Sequence, residues 1–209
     1  MPERLFFELD AGKRRRIFEA GLQVFSEAGY NDASTNSIVK EATISKGSLF
    51  KYFQNKEDLY FYVLDTVIEE LTDDMADDIR TLSGDLFEVI IRYAEIEFDW
   101  HISRPAPFRL LKKAFADDGS AIYKKTLSRY QTSGDALYDQ ILKQADCDGL
   151  RADREQTIKL MKWVLDGFNS AFLNTIQDDT DTAATKEAYT KAIRPYIELI
   201  KHGIYKQEG

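Results

Sequence analysis

Apolar residues recur along this chain with the spacing of α-helices, and the strict alternation typical of strands is scarce. The first helix is predicted from about residue 9 to residue 28. Gly29 is expected to end it, because glycine favours the left-handed conformation that closes many helices. The apolar face of this helix consists of Ile17, Ala20, Gly21, Val24, Phe25 and Ala28.

Two short helices and a longer one are predicted next. The second helix begins at Ser34 or Thr35, whose hydroxyls can accept hydrogen bonds from free backbone amides. The third begins after Ser45, and Asn55 caps a longer fourth helix. The residues that the two short helices turn inward are Ile38, Val39, Ala42, Leu49 and Phe53.

Beyond residue 70 the helical period continues, with breaks at glycine, proline and acidic turns. Further amphipathic helices are predicted near 84–103, 106–116, 119–145, 154–177 and 183–206. The pattern therefore predicts an all-α protein of about nine helices, with a small N-terminal helical domain followed by a larger one.

The short second and third helices, joined by a tight turn, suit a helix-turn-helix that reads DNA. Such a recognition helix buries one face and leaves the other free for the major groove. Lysines can bind phosphate or guanine, serine and tyrosine can donate hydrogen bonds, and glycine allows close approach. The residues expected on the free face are Lys46, Gly47, Ser48, Lys51 and Tyr52. The alternative is that they are surface residues of a small helical bundle.

The order of these residues closely resembles the N-terminal domain of the TetR family of bacterial transcriptional regulators, over about residues 11 to 67. The resemblance rests on fixed spacing in Phe25-x-x-x-Gly29-Tyr30, then Ile38, then Ser45-Lys46-Gly47-Ser48-Leu49-Phe50-x-Tyr52-Phe53-x-x-Lys56-Glu57-x-Leu59. It implies a DNA-binding domain at 9–67, with its helix-turn-helix at about 34–53. A helical domain at 68–209 would dimerise and bind an effector.

By the same resemblance, eight positions match residues that contact DNA in the family: Ser34, Thr35, Lys46, Ser48, Phe50, Lys51, Tyr52 and Lys56. Three positions depart from the family pattern. Thr43 stands where the turn commonly has glycine, so a threonine must supply a conformation that favours glycine. Ala33 replaces a threonine, and Phe50 replaces a frequent tyrosine and offers an apolar contact instead of a hydroxyl.

The C-terminal helices suggest an interface. The helix predicted at 154–177 is apolar on two sides, which indicates either a central helix or one that faces both a core and a partner. By resemblance, this helix and the last one form a four-helix dimer interface, and a bundle within one chain is the alternative. The residues expected at the interface are Val164, Gly167, Ala171, Ala192, Tyr196 and Leu199.

Aromatic residues are dense between residues 93 and 172 and would suit a cavity for an apolar or aromatic effector. Ordinary core packing is the alternative for each of them. The pocket residues we expect are Tyr93, Phe98, His101, Tyr130, Trp163 and Phe168.

Charge and composition narrow the function further. The chain has a net charge of −8, but residues 1–56 carry nine Lys/Arg and seven Asp/Glu, so the basic excess lies in the first quarter. A single cysteine, Cys147, and the lack of a signal peptide or long apolar stretch favour the cytoplasm and no membrane.

The sequence therefore predicts a homodimeric repressor that leaves a palindromic operator when an effector binds. A regulator whose C-terminal domain docks a protein or activates transcription is the alternative. No catalytic, metal or cofactor motif is recognised, so an enzyme is not expected.

Overall fold

A computed structural model describes residues 2–116, 119–148, 150, 153–173, 175 and 182–203 of the chain. Apart from turns, connecting segments and a pair of two-residue strands, the described part is helical, which confirms the all-α prediction. The elements are α1 (Arg4–Phe7), α2 (Ala11–Asp32), α3 (Thr35–Glu41), α4 (Lys46–Tyr52), α5 (Lys56–Arg80), β1 (Gly84–Asp85), α6 (Leu86–Ser103), α7 (Pro105–Ala114), α8 (Ala121–Leu142), β2 (Ala145–Asp146), α9 (Arg154–Leu173) and α10 (Thr182–His202).

The predicted helices are found within a few residues of their expected limits, and the additional one is the short α1. The sequence did not indicate α1, since four residues are too few for a helical period. The predicted helix ends at 177 and 206 lie outside the described residues. The two strands pair in parallel, Gly84 with Ala145 and Asp85 with Asp146.

The chain divides into two compact units. One comprises Met1–Asp74 with Arg104–Thr132, and the other comprises Met75–Ser103 with Ser133–Gly209. These units describe which segments pack together and do not test where an independently folding domain ends. The division into 9–67 and 68–209 therefore stays a prediction.

The first unit is built around α2, which packs against α3 and along α7. Its core is rich in aromatic rings, with Phe6, Phe25 and Phe53 fully buried and Phe18 nearly so. At Gly21 the approach of α5 is so close that a β-carbon would lie 2.8 Å from Cγ2 of Val63. Glycine is therefore required there by packing and not by its backbone angles.

Side-chain caps begin the helices as the sequence predicts. Ser34 Oγ accepts from the amide of Asn36 at 3.2 Å, and Ser45 Oγ accepts from that of Ser48 at 3.0 Å. Asn55 Oδ1 accepts from the amide of Asp58 at 2.9 Å. Each cap satisfies an amide that has no partner within its own helix. The cap of α2 by Asp10 was not expected, because the helix was predicted to begin nearer Leu9.

Two positive φ angles end helices in the first unit. Gly29 has a φ of 72° and interrupts α2 where the sequence predicted its end, although the helix resumes briefly to Asp32. Thr43 follows α3 with a φ of 55°. The turn thus adopts the left-handed conformation with a β-branched residue, which is unfavourable for any side chain with a β-carbon.

The second unit has its core around Tyr189, whose side chain is 1% exposed. The ring of Tyr189 stacks on Phe98 at 4.4 Å between centroids and meets Phe168 and Phe172 edge-on at 5.4 and 5.3 Å. Its hydroxyl donates to Asn169 Oδ1 at 2.6 Å, so the buried polar atom has a partner.

In the part of the chain that is described, no helix is long and apolar enough to cross a bilayer.

Candidate nucleic-acid interface

The helix predicted to read DNA, α4, has a clearly divided surface. Leu49 and Phe53 are buried, as expected, and anchor the helix in the core of the first unit. Lys46, Gly47 and Lys51 are exposed on the other side. The ring of Phe50 is 41% exposed, which is unusual for a phenylalanine and leaves it available for an apolar contact.

Backbone access is best at Gly47. A β-carbon there would have only Ser45 Oγ near it, at 3.9 Å, so the glycine is not required by packing within the chain. The neighbouring Ser48 is half-buried, and its hydroxyl lies 2.8 Å from Ser45 Oγ. A contact between the Ser48 hydroxyl and DNA must therefore use a group that is already hydrogen-bonded to the capping oxygen of Ser45.

The prediction that Tyr52 lies on the free face of α4 is wrong. Its side chain is only 6% exposed, and its ring lies 6.2 Å from that of Phe6. The ammonium group of Lys13 lies over the ring, 5.7 Å from its centroid. Phe6 is distant in sequence, so periodicity could not show that it covers this face. The proposed contact of Tyr52 with DNA stays a prediction.

Lys56 has a structural role that the sequence did not reveal. Its Nζ donates to the carbonyl oxygens of Tyr30 at 2.7 Å, Asn31 at 3.2 Å and Ala33 at 3.1 Å. It also lies 4.5 Å from the centroid of the Tyr30 ring. The lysine thus satisfies carbonyls at the end of α2 and ties them to the start of α5. A phosphate contact by Lys56 would compete with these bonds.

Ser34 and Thr35 mark the start of α3. Ser34 is exposed and Thr35 is half-exposed, so both side chains remain accessible at the start of the helix. Helix starts bind phosphate well because their free amides and the helix dipole favour negative charge. The placement suits the expected contact with the DNA backbone.

Most of the basic run at residues 13–16 is engaged within the protein. Arg14 Nη1 donates to the carbonyls of Phe7 at 2.9 Å and Leu9 at 2.7 Å. Arg15 bonds Glu19 and Glu70 at 2.8 and 3.2 Å, and the Glu19 hydrogen bond raises the pKa of its guanidinium. Arg16 is exposed. The run is therefore mainly a set of structural contacts at the start of α2.

Comparison with known proteins identifies this arrangement. The sequence model described as bacterial regulatory proteins, tetR family, matches residues 17–63, which include α3 and α4. This N-terminal segment belongs to the TetR family. A helix-turn-helix-type transcriptional regulator of Staphylococcus aureus is 34% identical over 80 residues, which cover 35% of this chain and 43% of that protein. The match therefore spans less than half of this relative.

Solved structures extend the likeness from this TetR-family segment to the fold of the chain. A TetR family transcriptional regulator from Chloroflexus aurantiacus has a TM-score of 0.69 at 22% identity, with 97% of this chain and 98% of that chain covered. The regulator FadR from Bacillus subtilis, in complex with stearoyl-CoA, has a TM-score of 0.65 at 16% identity. The match covers 89% of this chain and 96% of the FadR chain. At these identities the likeness concerns the fold.

The residues expected to line an effector pocket are placed in different surroundings. Phe98 and Phe168 both contact Tyr189, and Tyr93 meets Tyr138 at 5.8 Å, so these three belong to packed aromatic contacts of the second unit. Trp163 is 64% exposed on α9. Tyr130 belongs to the first unit. The structure thus groups only part of the expected set, and the pocket stays a prediction.

His101, another member of that set, has an altered protonation equilibrium. Burial of the imidazole lowers the pKa of His101 to about 4, so the ring is neutral at neutral pH. It lies edge-on to the ring of Trp100 at 5.8 Å.

Four of the six residues expected at a dimer interface are exposed. Tyr196 and Leu199 on α10 are 58% and 51% exposed, and Gly167 and Ala171 on α9 are exposed as well. Val164 and Ala192 are half-buried. Leu160 and Trp163, also on α9, are 45% and 64% exposed. Within the described residues, no group of three or more His, Cys, Asp or Glu is placed to hold a metal.

Proposed function

We propose that this protein is a sequence-specific DNA-binding transcription regulator that acts in the cytoplasm as a homodimeric repressor. One observation carries the proposal. The helix α4 is fixed by Leu49 and Phe53 in an aromatic core, while Lys46, Gly47, Phe50 and Lys51 remain exposed along its outer side. A buried anchor with a free basic face is what major-groove reading requires.

Charge distribution supports a defined DNA site over general binding to polyanions. Residues 1–56 have a net charge of +2, and residues 57–209 have a net charge of −10, which together give the total of −8. The acidic part of the chain repels DNA, so affinity depends on the contacts that α4 and the start of α3 can make.

The dimer is proposed from the exposed apolar surface of α9 and α10. Leu160 and Trp163 on α9 and Tyr196 and Leu199 on α10 are each more than two-fifths exposed. Large apolar side chains in such numbers on one pair of helices mark an interaction surface. A second copy is the partner we propose, because a twofold dimer presents two recognition helices to a palindromic operator.

The effector is proposed as a small apolar or aromatic molecule that binds in the second unit. The aromatic cluster around Tyr189 offers apolar surface with one hydrogen-bonding pair, Tyr189 and Asn169. FadR, which has a similar fold, is in complex with stearoyl-CoA, and this supports the idea that the fold accommodates a ligand with a long apolar chain. Release from DNA requires that the effector bind the DNA-competent and released forms with different affinity.

The proposal is tested by selecting bound sequences from random DNA with the purified full chain, then measuring affinity for the selected site at fixed salt. Lys46→Ala and Lys51→Ala are expected to weaken binding about tenfold or more, because each removes a phosphate or base contact. Lys124→Ala is the matched control, since Lys124 is an exposed lysine on α8. Its affinity should stay within about twofold of the wild type.

Two results would count against the proposal. If the selection enriches no DNA sequence, the proposal of sequence-specific binding is wrong. Equal losses in Lys124→Ala and the two α4 variants would mean that net charge, and not the outer face of α4, determines the affinity.

A further inference from the structure

The short helix α1 packs on the C-terminal end of the recognition helix α4. Phe6 is fully buried, with its ring 4.9 Å from that of Phe53, 4.9 Å from that of Tyr62 and 6.2 Å from that of Tyr52. The amide of Glu3 donates to the carbonyl oxygen of Tyr52 at 2.8 Å. Tyr52 is the last residue of α4, so its carbonyl has no partner within the helix.

Further bonds hold the segment in this position. Gln54 Nε2, just after α4, donates to Glu3 Oε1 at 2.7 Å. On the other side, Arg14 of α2 donates to the carbonyls of Phe7 and Leu9. The segment Glu3–Phe7, here called the N-terminal clip, is therefore attached both to the end of α4 and to the start of α2.

We infer that the N-terminal clip positions the recognition helix on DNA and so contributes to sequence discrimination without touching a base. This inference rests on the proposed function. The clip precedes residues 17–63, which match the family's sequence model, so the match does not assign it a role.

The physical reason lies in the shortness of α4. The helix has seven residues, and its N-terminal end is fixed by the Ser45 cap, while its C-terminal end leads directly into α5. Hydrogen bonds to base edges need side chains placed within about 0.5 Å. A hydrogen bond and a buried ring at the C-terminal end restrict the tilt of α4, which this precision requires.

Glu3 offers a substitution that breaks the backbone bond to α4 without emptying a buried site. Its φ of −70° and ψ of 154° suit proline, so Glu3→Pro is compatible with the backbone angles of Glu3. It deletes the amide that donates to Tyr52 and places a ring carbon against that carbonyl, so the N-terminal clip is released from the end of α4. Glu3→Ala is the matched control. It also loses the side-chain bond to Gln54 but keeps the amide, so the two variants differ in the bond to α4.

Phe6→Ala tests the buried ring independently. Phe7→Ala is its matched control, because it is the same substitution one residue further along at a side chain that is 57% exposed. Phe6→Ala can unfold the domain, since it empties a fully buried site. Glu3→Pro, which removes no buried side chain, keeps the inference testable in that case.

The measurement is the ratio of affinity for the selected operator to affinity for unrelated DNA, at fixed salt and temperature, with folding checked by circular dichroism. Glu3→Pro and Phe6→Ala should lower the ratio about tenfold, the size of one lost base contact. Glu3→Ala and Phe7→Ala should stay within about twofold of the wild type. Partial unfolding alone would lower both affinities equally and leave the ratio unchanged.

An unchanged ratio in a folded Glu3→Pro variant would overturn the role of the clip while leaving the proposed function intact. If the wild type prefers no sequence, the proposed function is overturned instead. The inferred role of the clip in sequence discrimination is then overturned as well.

Discussion

The guanidinium of Arg129 on α8 donates two hydrogen bonds to the carboxylate of Asp65 on α5. Nε lies 3.0 Å from Oδ1, and Nη2 lies 2.6 Å from Oδ2. The hydroxyl of Tyr130 donates to the same Oδ1 at 2.6 Å. Burial, together with this hydrogen bond, raises the pKa of Tyr130, so the phenol stays protonated at neutral pH. The N-terminal half of α8 is thereby fixed to the helix that follows the DNA-reading segment.

We expect Arg129→Lys to destabilise the protein by about 1 kcal/mol, because lysine keeps the charge but cannot form the two-pronged contact. The figure is modest because Arg129 is 38% exposed and solvent weakens the pair. Urea denaturation measures it. Arg16→Lys at an exposed site is the control, with a change below about 0.5 kcal/mol. Equal effects of the two substitutions would contradict a stabilising role for the two-bond contact between Arg129 and Asp65.

Thr43→Gly should stabilise the protein. Thr43 has a φ of 55°, which costs a residue with a β-carbon about 1–2 kcal/mol, while glycine loses about 0.5–1 kcal/mol in extra chain entropy. The net gain should be about 0.5–1 kcal/mol, seen as a higher melting temperature. Thr43→Ala keeps the β-carbon and should give no gain. Similar gains for glycine and alanine would argue against backbone strain as the cause.

Gly21→Ala should destabilise the protein by about 1–3 kcal/mol, because the new methyl group would lie 2.8 Å from Val63 Cγ2 and force α2 and α5 apart. Gly134→Ala in α8 is the matched control, since no atom lies within 4 Å of its β-carbon position. It should stabilise by about 0.5–1 kcal/mol. Denaturant unfolding of both variants measures the change in the free energy of unfolding, which should have opposite signs in the two. A similar loss in both variants would contradict crowding at Gly21 as the cause.

The double variant Gly21→Ala with Val63→Ala separates crowding from other effects. Removal of the Val63 methyls should recover part of the loss that the new methyl causes, so the two changes should not be additive. Strict additivity would indicate that Gly21 is needed for a reason other than the approach of α5.

Acid should destabilise the protein in part through His101. Its pKa is lowered to about 4 by burial, whereas an imidazole in the unfolded chain titrates near 6.5. Between these pH values only the unfolded state binds the proton, so stability falls as the pH drops from about 6.5 to 4. We expect His101 to contribute about 1–2 kcal/mol of this loss, less than the full pKa difference implies, because its side chain keeps some solvent contact.

The measurement compares unfolding free energies of the wild type and His101→Gln at pH 7 and pH 4. The variant should lose less stability on acidification, whatever the carboxylates contribute in both proteins. Parallel pH profiles would show that the imidazole is solvated in the folded state.

Leu199→Asp should prevent dimer formation without unfolding the chain, because Leu199 is 51% exposed and a charge in a buried interface has no partner. Light scattering at micromolar concentration should give twice 24.1 kDa for the wild type and 24.1 kDa for the variant. Leu127→Asp, at another exposed leucine, should remain dimeric. A dimeric Leu199→Asp protein would place the interface elsewhere.

Local features of the fold follow from the sequence because they depend on neighbouring residues. Helical periodicity located the long helices, and Ser34, Ser45 and Asn55 were recognisable as caps because capping joins residues two or three positions apart. The strained turn at Thr43 was also foreseeable, since its position in the helix-turn-helix pattern calls for glycine. The spacing of the recognition helix carried the family resemblance.

The candidate site was only partly predictable. The exposure of Lys46, Gly47 and Lys51 follows from the same period that buries Leu49. The burial of Tyr52 does not, because it depends on Phe6 in a helix too short to leave a periodic signal. The three carbonyl partners of Lys56 lie in the segment that ends α2, and a basic side chain alone does not reveal them.

The sequence by itself thus determined the all-α architecture, the caps, the helix-turn-helix and the family, since each arises from interactions within a few residues or from fixed spacing. The tertiary structure decided which polar and aromatic groups remain free, including the exposure of Trp163, the clip on α4 and the pair of Arg129 with Asp65. The physical reason is that burial and pairing depend on segments distant along the chain, whose approach is set by packing of the whole core.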